Sequence, residues 1–346
     1  MATTAVLTAS DIRSARTRRR RRARLIIALL VAGATMLFVA SLCLGERLFT
    51  PAEVLQVLFG QRVEGAFPIS QLRLPRAIIA ALAGIAFGMA GVTFQTMLRN
   101  PLASPDIIGI TSGASAAAVF GITVLGVGGS MVSLLAVAAG LGTALAIYLL
   151  SSDGGRTGAR LVLIGIGVGA MLDAVVGWML LRAGQWDMAE AMRWLTGSLG
   201  SAFWPDVPPL AISMVVLVPA ILAITRRLDI LQLGDDAATA IGVPVARTRI
   251  TLILVAVALA GVATATTGPI AFVAFLAGPI AFRLVGGGAN LLVPAGLMGA
   301  VIVLGADLIS QHIMPVAYPV GVVTGMIGAP YLIYLLIRTN RRGASL

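Results

Sequence analysis

Residues 75–97 read PRAIIAALAGIAFGMAGVTFQTM, and beyond Arg76 no charged side chain occurs until Arg99. A hydrocarbon layer about 30 Å thick needs about 20 apolar residues of helix to cross it, so this run is long enough for one span. Working outward in both directions, the same reading gives ten spans: 25–45, 75–97, 107–125, 131–150, 161–181, 207–225, 248–266, 268–284, 291–309 and 319–338. The expected fold class is therefore an all-α integral membrane protein of ten transmembrane helices. A basic tail (1–24) precedes a single transmembrane domain (25–338), and a short tail (339–346) follows it. The eighth span is short and carries Pro279, which predicts a kinked or partly re-entrant course held by neighbouring helices.

Composition agrees with a lipid solvent. Hydrophobic residues make up 58% and charged residues 11%, with mean hydropathy +0.99, a balance that would leave a water-soluble globule coated in apolar surface. The 40 glycines and 16 prolines are too many for ordinary soluble helices. Membrane helices tolerate both, and small residues let their backbones approach closely, so a tight bundle is expected.

All 25 basic residues are arginine. Eight of them, Arg13, Arg16, Arg18 through Arg22 and Arg24, directly precede the first apolar run, a pattern of anchoring to membrane lipid on the cytoplasmic side rather than of binding nucleic acid. The run 25–45 is longer than a signal-peptide core and lacks a small-x-small cleavage site, so it is expected to stay as the first helix. With both ends inside, nineteen arginines fall on the inner side and six outside, as the positive-inside rule requires.

The absence of lysine excludes a Walker A phosphate loop. One cysteine, Cys43, and one histidine, His312, exclude an intrachain disulfide and a Cys/His zinc site. A membrane-embedded enzyme needs converging nucleophile, acid and metal ligands, so the chain is expected to be no enzyme and to bind no cofactor directly. Asp173 lies mid-span, where an ionised carboxylate costs about 2.5–3.5 kcal/mol, and is expected to face protein or water. An ion-coupled secondary transporter is the alternative that rests on it. Asp307, near an outer helix end, is expected to be solvated, His312 to lie at the surface, and Cys43 to be a small buried hydrophobe.

Two loops are amphipathic. Outside, residues 183–205 carry Met192, Trp194, Leu195, Leu199, Phe203 and Trp204, which predicts a short helix at headgroup level. Inside, residues 226–247 read RRLDILQLGDDAATAIGVPVAR. This predicts a helix, a break at Gly234, and a second short helix opened by Asp235 and Asp236 and ended by Gly242 and Pro244.

Five segments in order carry a family resemblance: LRLPR (72–76), RNPLASPDIIG (99–109), LGDDAATAIGV (233–243), GPIAFVAFLAGPIAFRL (268–284) and YPVGVVTGMIGAPYLIYLL (318–336). The chain resembles the permease subunits of binding-protein-dependent ABC importers for iron-siderophores, haem and vitamin B12. LIGIGVGAML (163–172) and the Asp235–Asp236 pair look most like the ferric-enterobactin branch. The resemblance implies a type II importer permease in the bacterial cytoplasmic membrane, moving ferric siderophore by alternating access, with haem or cobalamin as alternative cargo. It implies a second permease, a sister chain favoured over a copy, two cytoplasmic ATPase subunits that use ATP and Mg, and an extracytoplasmic substrate-binding protein. Carried over by position, Gly234, Asp235, Asp236, Ala237, Ala238 and Gly242 would couple to the ATPase. Arg73 and Arg76 would receive carboxylates of the binding protein, and Asn100, Pro101, Pro279, Pro319 and Gly321 would act as gates or hinges. Some relatives have a further arginine near Gln311, and many have Pro-His where this chain has Gly278-Pro279-Ile280-Ala281.

Overall fold

The computed structural model describes residues 9–61, 66–151, 157–286 and 290–343. Its regular structure is helical, in the order α1 (Ala9–Cys43), α2 (Pro51–Leu58), a π turn (Pro68–Arg73), α3 (Leu74–Met97), α4 (Ile110–Thr123), α5 (Ser130–Ser151), α6 (Thr157–Arg182), α7 (Gln185–Leu195), a 3-10 turn (Trp204–Asp206), α8 (Val207–Ala223), α9 (Thr225–Leu231), α10 (Asp235–Ala240), α11 (Val245–Thr267), α12 (Val273–Val285), α13 (Leu292–His312) and α14 (Val320–Gly343). Each of the ten expected spans has its helix. The outer amphipathic stretch forms α7, and the inner one forms α9 and α10.

Helix α1 does not stop at the membrane boundary but continues through the arginine-rich stretch as far as Ala9. Arg22 donates from Nε to the Leu284 carbonyl at 2.9 Å, satisfying an end carbonyl of α12 with a cation placed well for the helix dipole.

Two expected spans are shorter than read. Helix α4 starts at Ile110 rather than 107, after Gly109 at φ +76°, and α12 starts at Val273 rather than 268, after Gly268 at φ +69° and Phe272 at φ +65°. At 1.5 Å per residue these helices run about 21 and 20 Å, less than the hydrocarbon thickness. Irregular backbone at membrane depth is tolerated where protein covers it, and Ile108 and Ile270 beside these turns are buried.

Helix α12 continues through Pro279. A proline inside a helix cannot donate to the carbonyl four residues back, here that of Phe275. The buried Gln95 of α3 supplies the missing donor, its Nε2 lying 3.0 Å from the Phe275 oxygen. Gly278, by lacking a Cβ, leaves the space that the Gln95 side chain occupies.

The axis of the bundle is α3, against which α11, α12 and α13 all pack. In its most apolar window 78% of residues are buried, against 11% in α1, so α3 is interior and α1 peripheral. Closeness comes from glycine: Gly84 of α3 and Gly299 of α13 each meet the other's carbonyl where a Cβ would stand. Outward faces of α5, α6 and α8 present Leu134, Leu145, Leu163, Leu181, Val215 and Val216, which suits lipid or another membrane subunit.

Candidate functional site

On the cytoplasmic side, α8 runs almost directly into α9, with only Ile224 between them. Gly234, at φ +108°, makes the turn that separates α9 from α10. Ala238 N donates to Gly234 O at 2.9 Å and Val243 N to Ala238 O at 3.0 Å, while Gly242 at φ +88° ends the helix and Pro244 precedes α11. Leu228, Leu231 and Ala238 are buried against the bundle. Leu233, Asp236 and Ile241 are exposed on the opposite side. Of the predicted coupling residues, Ala237 is half-buried and Ala238 fully buried, so they hold the element in place and offer little surface.

The two aspartates part company. Asp236 faces out, whereas Asp235 accepts from Nη2 of Arg249 at 3.0 and 3.1 Å and lies 4.0 Å from Nη2 of Arg99. Sequence reasoning grouped them as one acidic pair and missed both arginines. The available signal was Arg249 itself, an arginine just inside an apolar span, where a cation needs a partner.

Segment 98–109 adjoins this element. Arg99 stands at φ +51°, Asn100 accepts from Leu102 N through Oδ1 at 2.9 Å, and Pro101 is exposed. Asp106, ahead of α4, accepts from Thr111 Oγ1 at 3.2 Å, but its Oδ2 is buried without a partner among the described residues. Burial raises the Asp106 pKa from 3.8 to about 6, the Thr111 hydrogen bond opposing the shift. The folded chain therefore binds this proton more tightly than the unfolded chain. The stabilisation is full below pH 3.8 and is lost as pH rises through about 6. Asp106→Asn is expected to raise stability at pH 8 by at most about 3 kcal/mol and to have little effect near pH 4, as read from thermal unfolding in detergent at the two pH values.

On the opposite side, Arg73 donates from Nη1 to Leu42 O and from Nη2 to Arg47 O, both at 2.9 Å. Its guanidinium and that of Arg47 lie over the Phe49 ring at 5.3 and 5.1 Å. Arg76 grips Asp307 of α13 with Nε at 3.0 and 3.2 Å and Nη2 at 2.7 Å, and Gln311 Nε2 adds a donor to the same carboxylate at 2.7 Å. The expectation of a solvated Asp307 is corrected: its side chain is 2% exposed, because the end of α13 is pressed against α3. Cys43 is half-buried rather than buried, and His312 is exposed.

Pro319 and Gly321 lie at the outer start of α14. Gly321 N donates to Gly197 O at 3.1 Å, and Ser198 N donates to Thr267 O at 2.8 Å. The ends of α7 and α11 and the start of α14 are thus knotted together through backbone. Asp173 sits on the outward face of α6 beside Gly177 and Trp178, exposed and without a hydrogen bond to the described residues.

The sequence profile of the FecCD transport family matches residues 27–338. The chain is 42% identical over 320 residues to the achromobactin transport system permease protein CbrC of Dickeya dadantii (strain 3937), covering 91% of each. It is 41% identical over 275 residues to the ferric enterobactin transport system permease protein FepG of Escherichia coli (strain K12), covering 79% of this chain and 83% of that one. Among solved structures it superposes on a metal-chelate-type ABC transporter in an inward-facing conformation, with TM-score 0.79 and 25% identity over 91% of this chain and 99% of that chain. The helical bundle and a profile match over nearly its whole length make this multi-pass membrane protein, with the fold of type II ABC importer permeases, a member of the FecCD transport family.

Proposed function

We propose that this chain is the membrane permease of an ATP-driven importer that carries ferric-siderophore complexes across the cytoplasmic membrane by alternating access. The observation that carries the reading is the exposed face of the α9–α10 element, where Leu233, Asp236 and Ile241 stand out from a support buried in the bundle. Two apolar studs around a carboxylate suit a groove on a cytoplasmic ATPase, and the buried support lets a push reach the membrane helices. ATP and Mg are used by two such ATPase subunits, and the permease binds no cofactor of its own.

Outside, a substrate-binding protein delivers the chelate. Both predicted docking arginines are engaged within the chain, Arg73 on the Leu42 and Arg47 carbonyls and Arg76 on Asp307. Arg73 is the better placed because among the described residues no carboxylate neutralises its charge, whereas Arg76 is paired and holds α3 to α13. Asn100, Pro101, Pro279, Pro319 and Gly321 stand where helices start, stop or lose a hydrogen bond, which suits hinges. The open apolar faces of α5, α6 and α8 leave room for a second permease, with which the chain encloses the cargo path. A sister chain is favoured over a copy, because the relatives include two different ferric enterobactin transport system permease proteins of Escherichia coli (strain K12), FepG and FepD, at 41% and 36% identity.

Uptake of radiolabelled iron chelates tests this in cells with the chain, without it, and with Asp236→Arg. Loss of ferric-siderophore uptake in both altered strains is the expected result. Unchanged uptake on deletion would remove the iron assignment and point to haem or cobalamin, and uptake driven by membrane potential with no ATPase would favour a secondary transporter. Loss on deletion alone would discredit the α10 face as the ATPase contact.

A further inference from the structure

We infer that the Asp235–Arg249 ion pair is the strut that passes movement of the α9–α10 element into α11, an inference that rests on that element being the ATPase contact.

The two ends of the element are joined to the membrane helices differently. Helix α9 follows α8 with one intervening residue, a short link that leaves little slack. Between α10 and α11 runs the loop Ile241–Pro244, with Gly242 at φ +88° and no atom within 4 Å of where its Cβ would be. That loop is tied back to α10 by Val243 N on Ala238 O at 3.0 Å, and Gly242 leaves its backbone free to change direction beyond that tie. What bridges the gap stiffly is the side-chain contact: Asp235 in the first turn of α10 and Arg249 in the first turns of α11, with Nη2 in reach of both carboxylate oxygens.

The pair is also hard to break. Arg249 is 8% exposed, and its Nε is buried with no hydrogen-bond partner, so Asp235 is the acid that compensates this cation among the described residues. Parting them would leave a buried charge without its counter-ion, which costs far more than losing an exposed pair. When α10 is displaced, α11 therefore follows. Helix α11 packs on α3, α5 and α8, so the displacement enters the centre of the bundle. Arg99 makes a longer and more exposed contact to the same carboxylate, at 4.0 Å. It ties segment 98–109 to the same point.

Arg249 is thus a positioning residue that acts through Asp235, and its removal separates hydrolysis from transport. The test uses the complete importer, with its ATPases, binding protein and partner permease, reconstituted in liposomes. Three quantities are read: ATPase retained on purification, ATP hydrolysed, and iron chelate imported per ATP. In Arg249→Gln, ATPase binding and hydrolysis are expected to persist while import per ATP falls about tenfold, within the range of an ordinary coupling free energy. Arg249→Lys, which keeps the charge, should retain most of the import.

Normal import per ATP in Arg249→Gln would overturn the strut. So would loss of ATPase binding in that variant, because the pair would then merely shape the docking surface, and so would equal damage from lysine and glutamine. Absence of ATPase from the wild-type complex would instead remove the docking reading itself, and the strut with it.

Discussion

Arg76→Ala is expected to destabilise the folded chain by on the order of 3 kcal/mol, because it leaves Asp307 buried with its counter-ion gone. The carboxylate is 2% exposed and receives three contacts from Arg76 at 2.7–3.2 Å. Among the described residues only Gln311, at 2.7 Å, would remain as a side-chain donor. Asp307→Ala should cost less, since the freed Arg76 is 24% exposed and its long side chain can carry its charge to the interface. Replacing both, as Arg76→Met with Asp307→Leu, should restore much of the loss, because an apolar pair of similar volume needs no compensation. Unfolding of the purified protein in mixed micelles with rising SDS, followed by tryptophan fluorescence, measures all three. Equal losses for the two single variants, with no recovery in the double, would show that the ion pair is not what joins α3 to α13.

Gly91→Val should be the most damaging change inside the bundle, at about 3 kcal/mol or more, the upper end of overpacking costs. A Cβ at Gly91 would overlap the carbonyl group of Ala274. The obstacle is backbone rather than a flexible side chain, so neither helix can yield by changing a rotamer. Helix α12 would have to lift from α3, taking Phe275 O away from Gln95 and exposing the carbonyl that Pro279 leaves without a partner. Gly142→Ala on α5 is the control: that glycine lies in a helix with nothing within 4 Å of its Cβ position, and the change should be neutral or slightly stabilising. The same SDS titration, with expression level as a second reading, checks both. A neutral Gly91→Val would show that α3 and α12 are not in close backbone contact.

Hydropathy located a helix for each of the ten expected spans, seven of them long and apolar enough to cross a membrane and three shorter, because a bilayer imposes a length on apolar runs that has nothing to do with what the runs pack against. Local chemistry also placed α7 and the break between α9 and α10, since an aromatic interfacial stretch and a glycine before two aspartates act within a few residues. The true starts of α4 and α12 were not legible. Apolar residues such as 107–109 and 268–272 read like helix, and only protein cover lets them stay irregular.

The candidate site divides in the same way. Asp235 and Asp236 are adjacent in sequence and alike in chemistry, and composition alone treats them as one feature. Their difference comes from Arg249, 14 residues along, and Arg99, far earlier in the chain. Arg76 likewise reads as a free outer arginine until α13 brings Asp307, 231 residues away, into its fork. What the sequence by itself determined was the solvent, the apolar helices and the family, because each follows from local apolar length or contiguous motifs. The tertiary structure alone decided which charges are committed to one another and which are left to face a partner. A charge is satisfied by whatever lies within a few ångströms of it, and in a helical bundle those neighbours come from distant parts of the chain.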